Sequence, residues 1–475
     1  MRKLVLPVVA ILLGITFAKG QKMAMQECVK TALDNNLTVK RSVYNVETNR
    51  VGLLSAKGVF LPTLNLAGSG TKNYGRALNP VTNQFIPNSV TNSLNGQLTG
   101  NLLLFNGLRA QNNYRSNKKN VEAADLDLEK AKNDVIITVV TNYTNAILNK
   151  ELFENAKFQL NSSQQQLERI KKQVEAGALP KSNELTQEAT VATNETNLIT
   201  QENAYNLSLL QLKQSMQVPA STPLEIVVPD IAMEDLTISQ TPEEIYAISA
   251  QTLPQVRSAM LKVEAAQYAM KAARSSYQPR LALTYASTTN YSSASDVPQY
   301  AIGPQTEQTI GYLASDPTQL VNTMVSTRVQ TADGYPVKSQ VGDNLYKNFG
   351  LSLSIPILNG LQTRTNVQQA IINRELASIT VKETENTLRQ SIETAYNNVL
   401  AYAKTYTAAI KQVSANEEAF RMVQQRHENG AATYIEYQVA SNDLFSAKSS
   451  LARAKYNFIF AKKVLEFYQG KTIEY

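Results

Sequence analysis

Apolar positions along this chain follow two rhythms. Between Gly107 and Gly177 they recur at spacings of three and four, as Ala124, Leu128, Ala131, Val135, Val139, Tyr143 and Ala146. Between Gly360 and Gly430 the stripe returns as Ala377, Val381, Thr384, Leu388, Ile392, Tyr396 and Val399. Such spacing puts these residues on one helix face, and over this length it predicts coiled-coil-like helices rather than the core of a globule. At the rise of an α-helix, the interval from Gly107 to Gly177 would reach about 105 Å if continuous.

Shorter segments alternate with period two. Leu94, Leu98, Leu102 and Leu104 are set against Asn95, Gln97, Thr99 and Asn101, and Phe349, Leu351, Leu353, Ile355 and Ile357 against Gly350, Ser352, Ser354 and Pro356. Weaker alternation follows Pro62 and Pro279. Four strands are predicted, at about 62–71, 93–105, 279–290 and 347–357, each with an apolar and a polar face. They read either as transmembrane β-strands or as hairpins laying the apolar face on helices. If they span a membrane, four strands cannot close a barrel and an open edge cannot sit in lipid, so the chain must oligomerise. The long helical stripes point the same way, because an amphipathic arm of about 100 Å has no core to bury its stripe in except other arms.

The pattern is written twice. Phe105-Asn106-Gly107 recurs as Leu358-Asn359-Gly360, and Glu175-Ala176-Gly177-Ala178 as Glu428-Asn429-Gly430-Ala431, both at an offset of 253 residues. Asn36-Leu37 and Phe60-Leu61-Pro62 match Leu253-Pro254 and Tyr277-Gln278-Pro279 at an offset of 217. Two offsets, each constant over its own block, mean a duplication with an insertion of 36 residues in the second copy. The first repeat is 21–241, with a turn at 177–180 and a β-rich linking segment at 219–241; the second is 242–475, with a turn at 430–433. Thr241-Pro242-Glu243-Glu244 reads as a helix start, and the N-terminal helix as running from about Met23 to Phe60. The insertion falls within 291–346, which is rich in Ser, Gln, Tyr and Thr, lacks a period, and reads as a long external loop.

Composition adds an address and removes several functions. Arg2-Lys3, an apolar run from Leu4 to Phe17 and Ala18-Lys19-Gly20 form a signal peptide over 1–20, so the mature chain is expected to be exported. Net charge is +7. Removing Arg2, Lys3 and Lys19 leaves an ordinary solvated balance, and no basic aromatic module points to nucleic acid. One cysteine, Cys28, and one histidine, His427, leave little for disulfides or transition metals, and no nucleophile, zinc or phosphate-loop motif argues for an enzyme, a cofactor or a metal.

The duplication, the strands ending in Leu104-Phe105-Asn106-Gly107 and Ile357-Leu358-Asn359-Gly360, and the turns at Gly177 and Gly430 resemble TolC-type outer-membrane efflux channels, over essentially the whole mature chain. The resemblance implies an all-α-dominated fold with a transmembrane β-barrel part. Three chains would supply four strands each to one 12-stranded barrel, continued by a long periplasmic α-helical barrel. It implies a homotrimer in the outer membrane that receives substrates from an inner-membrane pump through a periplasmic adaptor. The turns Gly177, Ala178, Leu179, Pro180 and Gly430, Ala431, Ala432, Thr433 would be the tips that meet the adaptor, the first departing in having Pro180 where the second has Thr433. The family's pore closes near the tips with two acids and an arginine. The matching positions here hold Glu436, Val439 and Ala432, leaving Glu436 as either a ring of carboxylates or a solvated helix charge. Tyr434, Tyr437 and Val439 are alternative constriction residues or plain packing, and Tyr143 and Tyr396 read as packing. Two other readings stand beside the duct: an exported trimeric coiled-coil spacer or adhesin without a pore, and an exported hydrolase, for which no nucleophile-base pair is in sight.

Overall fold

The structure is a computed structural model that describes residues 21–78, 83–228, 236, 238–295 and 298–471. The signal peptide expected at 1–20 lies outside the described residues, as does most of 229–237 in the linking segment. In chain order the elements are β1 (Gln21–Met23), α1 (Met25–Asn35), α2 (Leu37–Gly58), β2 (Thr63–Leu78), β3 (Phe85–Phe105), α3 (Arg109–Glu175), α4 (Lys181–Met216), β4 (Leu224–Ile226), α5 (Pro242–Thr252), α6 (Pro254–Arg274), β5 (Arg280–Ser292), β6 (Gln299–Leu313), β7 (Asp316–Ala332), α7 (Val337–Asp343), β8 (Tyr346–Ser354), α8 (Gln362–Glu428) and α9 (Tyr434–Tyr468).

The duplication is visible in the backbone. Helices α3 and α8 are each 67 residues long, and α4 and α9 have 36 and 35. Left-handed residues recur at the 253-residue offset: Gly107 and Leu108 with Gly360 and Leu361, Gly177 with Gly430, and Gln217 with Gly470. At Gly107 a side chain is excluded twice over. Its φ is +66°, and a Cβ would lie 2.4 Å from the Gln278 side chain and 2.8 Å from the Ser275 carbonyl. The N-terminal helix is not continuous as expected from the sequence. It breaks at Asn36, whose side chain turns to accept from the Thr38 and Val39 amides at 2.8 and 3.4 Å and so starts α2. The second copy breaks at the equivalent Leu253, where Pro254 starts α6. Thr241 caps α5 as expected, accepting from the Glu244 amide while Glu244 accepts from the Thr241 amide.

The described residues form two compact units. The first is drawn from the described residues within 21–51, 118–266 and 373–471. Its larger core gathers Cys28, Val139, Tyr143, Ile147, Leu212, Met216 and Ile226, so the first predicted stripe faces inward. A second core joins Ile245, Val256, Leu388, Ile392, Val399, Phe458 and Leu465. The second stripe is buried only along its C-terminal half; Ala377, Val381 and Thr384 stay half-exposed. Burial pushes the Cys28 thiol up to about 12, so it remains a protonated, unreactive core group. Tyr143 does more than pack. Its hydroxyl lies 2.7 Å from the Val227 carbonyl and 3.1 Å from the Met23 carbonyl, tying together the ends of the parallel β1–β4 pair. Tyr143→Phe is expected to cost about 1–2 kcal/mol. Faster amide exchange at 21–23 and 224–226, with α3 unchanged, is the measurement; equal exchange in both forms would assign the strand pair another anchor.

The second unit is drawn from Gly52–Asn117 and Gln267–Ile372. It contains a four-stranded antiparallel sheet in the order β2-β3-β5-β8. The hairpin β2–β3 is longer than the sequence pattern indicated, because Lys72–Leu78 and Phe85–Asn92 remain paired past the last regular leucine. β8 is shorter, ending before Pro356, which has no amide hydrogen to donate. The largest correction concerns 291–346, which is not a structureless loop: β6 and β7 form an antiparallel hairpin, followed by α7. Its alternation was hidden because the register shifts four times, resetting the phase every few residues.

Candidate functional site

The four-stranded sheet has one apolar and one polar face running through every strand. The register pairs Leu64 with Gly100, Leu66 with Leu98, Gly100 with Tyr285, Leu102 with Leu283, Leu283 with Leu351, Leu281 with Leu353 and Tyr285 with Phe349. Directly paired residues point to the same side, so these side chains form one continuous apolar surface. It is uncovered: Leu66 is 81% exposed, Leu351 69% and Phe349 76%. The opposite side carries Asn65, Ser69, Asn95, Gln97, Thr99, Asn101, Thr284, Thr288, Ser352 and Ser354. The described helices do not cover the apolar side, as the soluble-hairpin reading required. The sheet ends in two open edges, β2 and β8. No described helix is long and apolar enough to cross a membrane.

The two turns predicted as tips are built alike. After α3 the Gly177 amide bonds the Val174 carbonyl at 2.9 Å and the Ala178 amide the Gln173 carbonyl at 2.8 Å; after α8 the Gly430 amide bonds the His427 carbonyl at 3.0 Å and the Ala431 amide the Arg426 carbonyl at 2.7 Å. These are glycine-centred helix stops with φ of +73° and +71°. Gly177, Ala178, Pro180, Gly430, Ala431 and Thr433 are exposed, and Leu179 and Ala432 half-exposed. A Cβ at either glycine would meet nothing, so the backbone conformation alone selects glycine there.

The turns differ in how the next helix starts. Pro180 gives α4 no side-chain cap, and Lys181 instead pairs with the buried Glu184 at 2.6 Å. Thr433 caps α9 by accepting from the Glu436 amide at 3.2 Å, while the Glu436 carboxylate accepts from the Thr433 amide at 2.7 Å. The Thr433 amide and the Thr433 hydroxyl, which donates to the same carboxylate at 3.2 Å, hold the Glu436 carboxyl below its ordinary range, with Arg426 nearby adding to the effect. Its contribution is therefore complete above the usual carboxylate range and is lost as pH falls through the lowered value. The signature Thr433-x-x-Glu436 is a capping box in plain sequence, a role the charge-ring argument passed over.

Tyr437 leans back onto His427 and Phe420, with ring centroids 5.2 and 5.5 Å away. Tyr434 is buried and donates to Gln438 at 2.7 Å. Val439 is exposed. Arg426 and His427 hold the second turn from below, reaching the Ala431 and Ala432 carbonyls at 2.9 and 3.2 Å, which requires the imidazole proton on Nδ1. No sequence motif announced them. A groove of about 270 Å³ between α3, α8 and α9 was equally unannounced; Gln166, Arg169, Phe420, Tyr437 and Lys448 line it.

The outer membrane efflux protein family matches residues 28–216 and 246–470, one stretch for each repeat. The chain belongs to that family. Among curated relatives, the outer membrane efflux protein BepC of Brucella suis is 22% identical over 464 residues, covering 96% of this chain and 88% of its own. Among solved structures, VceC of Vibrio cholerae superposes with a TM-score of 0.73 at 14% identity, over 95% of this chain and 97% of that one. The Campylobacter jejuni CmeC outer-membrane channel does so at 0.72 and 18%, over 94% and 85%. This outer membrane efflux protein thus has the fold of a helical barrel joined to a β domain, its place is the outer membrane, and its role is that of an exit duct.

Proposed function

We propose that three copies assemble into the duct and that it takes its cargo from an inner-membrane pump through a periplasmic adaptor. The observation that carries this reading is the uncovered apolar sheet face with edges at β2 and β8. β8 of one copy laid beside β2 of the next continues the antiparallel order, and three sets of four strands close a barrel without a free edge. Exposed Tyr44, Val51 and Leu54 on α2 and Leu185, Ile199 and Leu207 on α4 give the helices apolar surface for neighbouring copies to cover. The turns at 177–180 and 430–433 are the adaptor-docking tips in this reading: exposed, small, and held by caps that leave their outer surface clear. The cargo, whether small molecule or protein, is set by the pump.

Glu436, Tyr437 and Val439 are the candidate constriction, and Glu436→Gln separates charge from architecture because glutamine also completes a capping box. The test is native mass measurement in mild detergent followed by planar-bilayer recording under a salt gradient. A trimer with discrete conductance is expected, and Glu436→Gln should move its reversal potential toward zero. A stable monomer without conductance would leave the pore-less spacer; an intact channel with unaltered selectivity would put the carboxylates away from the ion path.

A further inference from the structure

Among the described residues, the hairpin β6–β7 has no supporting layer. Ile302 is 84% exposed, and Ile310, Tyr312, Leu320 and Met324 are also open to solvent. The only sheet among the described residues that β6 or β7 enters is the one they make together. An isolated two-stranded ribbon is marginal in water, and this one lacks the usual protection of its edges. Across 299–332 the charged residues are Glu307, Asp316 and Arg328, and the prolines, 304 and 317, sit at a register shift and beside the turn. That leaves 305–313 and 318–332 as proline-free edges of high strand propensity.

The root of the hairpin is fixed. Gln340 of α7 is buried; its side chain accepts from the Ser292 amide at 3.0 Å and donates to the Ser292 and Tyr335 carbonyls at 3.2 and 2.6 Å. Asn344 donates to the Asn290 carbonyl at 2.9 Å, and Thr289 to the Val341 carbonyl at 2.7 Å. The hairpin is therefore tied to the end of β5, an inner strand of the sheet whose edges pair between copies.

We propose that the β6–β7 hairpins of three copies pair edge to edge, β7 of one against β6 of the next, as a six-stranded collar. This rests on the trimeric reading above. The alternation of β6 and β7 makes every new pairing antiparallel, and closure removes the six bare edges together. A bilayer is the poorer cover, because lipid offers no partner for the edge amides and carbonyls. Eight strands already enclose only enough room for side chains, so a six-stranded collar constricts the outer mouth of the duct to a closed or nearly closed ring.

The experiment is a spin label at Ser315→Cys in the β6–β7 turn, in a Cys28→Ala background, on detergent-purified protein whose mass is first measured under native conditions. In the collar, equivalent backbone sites are two strands apart, about 10 Å, and the spectrum should broaden strongly. Amides throughout 305–313 and 318–332 should resist exchange, and replacing 299–332 with a short Gly-Ser linker should raise conductance at least about twofold, as expected for a narrow pore segment. A monomer by mass would reject the trimeric reading itself. A trimer with unbroadened labels and freely exchanging edge amides would overturn the collar alone, and so would labels accessible to a lipid-soluble relaxing agent in vesicles.

Discussion

Arginine in place of Leu98 is expected to keep the protein out of the outer membrane. Leu98 lies on the inner strand β3, paired with Leu66 on β2 and Ser287 on β5, in the middle of the uncovered apolar face. A cationic side chain at mid-depth on a lipid-facing strand costs about 2–4 kcal/mol. In a trimer the penalty is paid three times, on the order of 10 kcal/mol, which rivals the whole stability of an ordinary fold. Gln97→Arg is the matched control, since its neighbours Ala67 and Thr288 lie on the opposite face. The amount of chain recovered in outer membranes, with its heat-dependent gel mobility, is the measurement. Equal recovery of the two variants would mean that the apolar face does not meet lipid.

Tryptophan at Ala431 is expected to abolish export while leaving a properly inserted trimer. Ala431 contributes its amide to the helix stop and keeps its methyl group exposed, so a larger side chain leaves the turn's hydrogen bonds intact. It obstructs whatever must approach the tip closely. Losing a central docking contact worth about 2 kcal/mol weakens association about 30-fold. Asn161→Trp, exposed within α3 and away from the turn, provides the comparison. Export should fall to the level of a deletion strain with Ala431→Trp and stay near normal with Asn161→Trp; full export from the tip variant would move the docking surface elsewhere.

What was legible in the sequence was whatever the chain states twice. A glycine that stops one helix is weak evidence, but Gly177 and Gly430, equidistant from Gly107 and Gly360, constrain each other, and both stops form. The membrane strands could be read because one face must be apolar and the other polar, which fixes a period. β6 and β7 face solvent on both sides, so selection imposes no alternation, and their register shifts erase what remains. The break at Asn36 was missed because a capping asparagine looks like any polar helix residue until the chain turns there. Gln217 was missed for a different reason: it takes the left-handed position that Gly470 holds in the other repeat, and nothing marks a glutamine as a helix stop. Glu436 shows the reverse case. A long-range role was weighed for a residue whose local signature, three positions after Thr433, already specified a use.

The clamp around Gln340 also bears on how this protein can change over generations. Its bonds to Ser292 and Tyr335 bracket the hairpin and use backbone atoms that any replacement segment would still possess. Everything from 299 to 332 lies beyond that knot and outside the pairing of the four-stranded sheet. Substitutions, deletions or whole foreign segments can therefore accumulate there without disturbing the pairing of the four-stranded sheet, so this segment is the part of the chain freest to vary. The same knot marks where an epitope tag can be spliced in while the pairing of the four-stranded sheet stays whole.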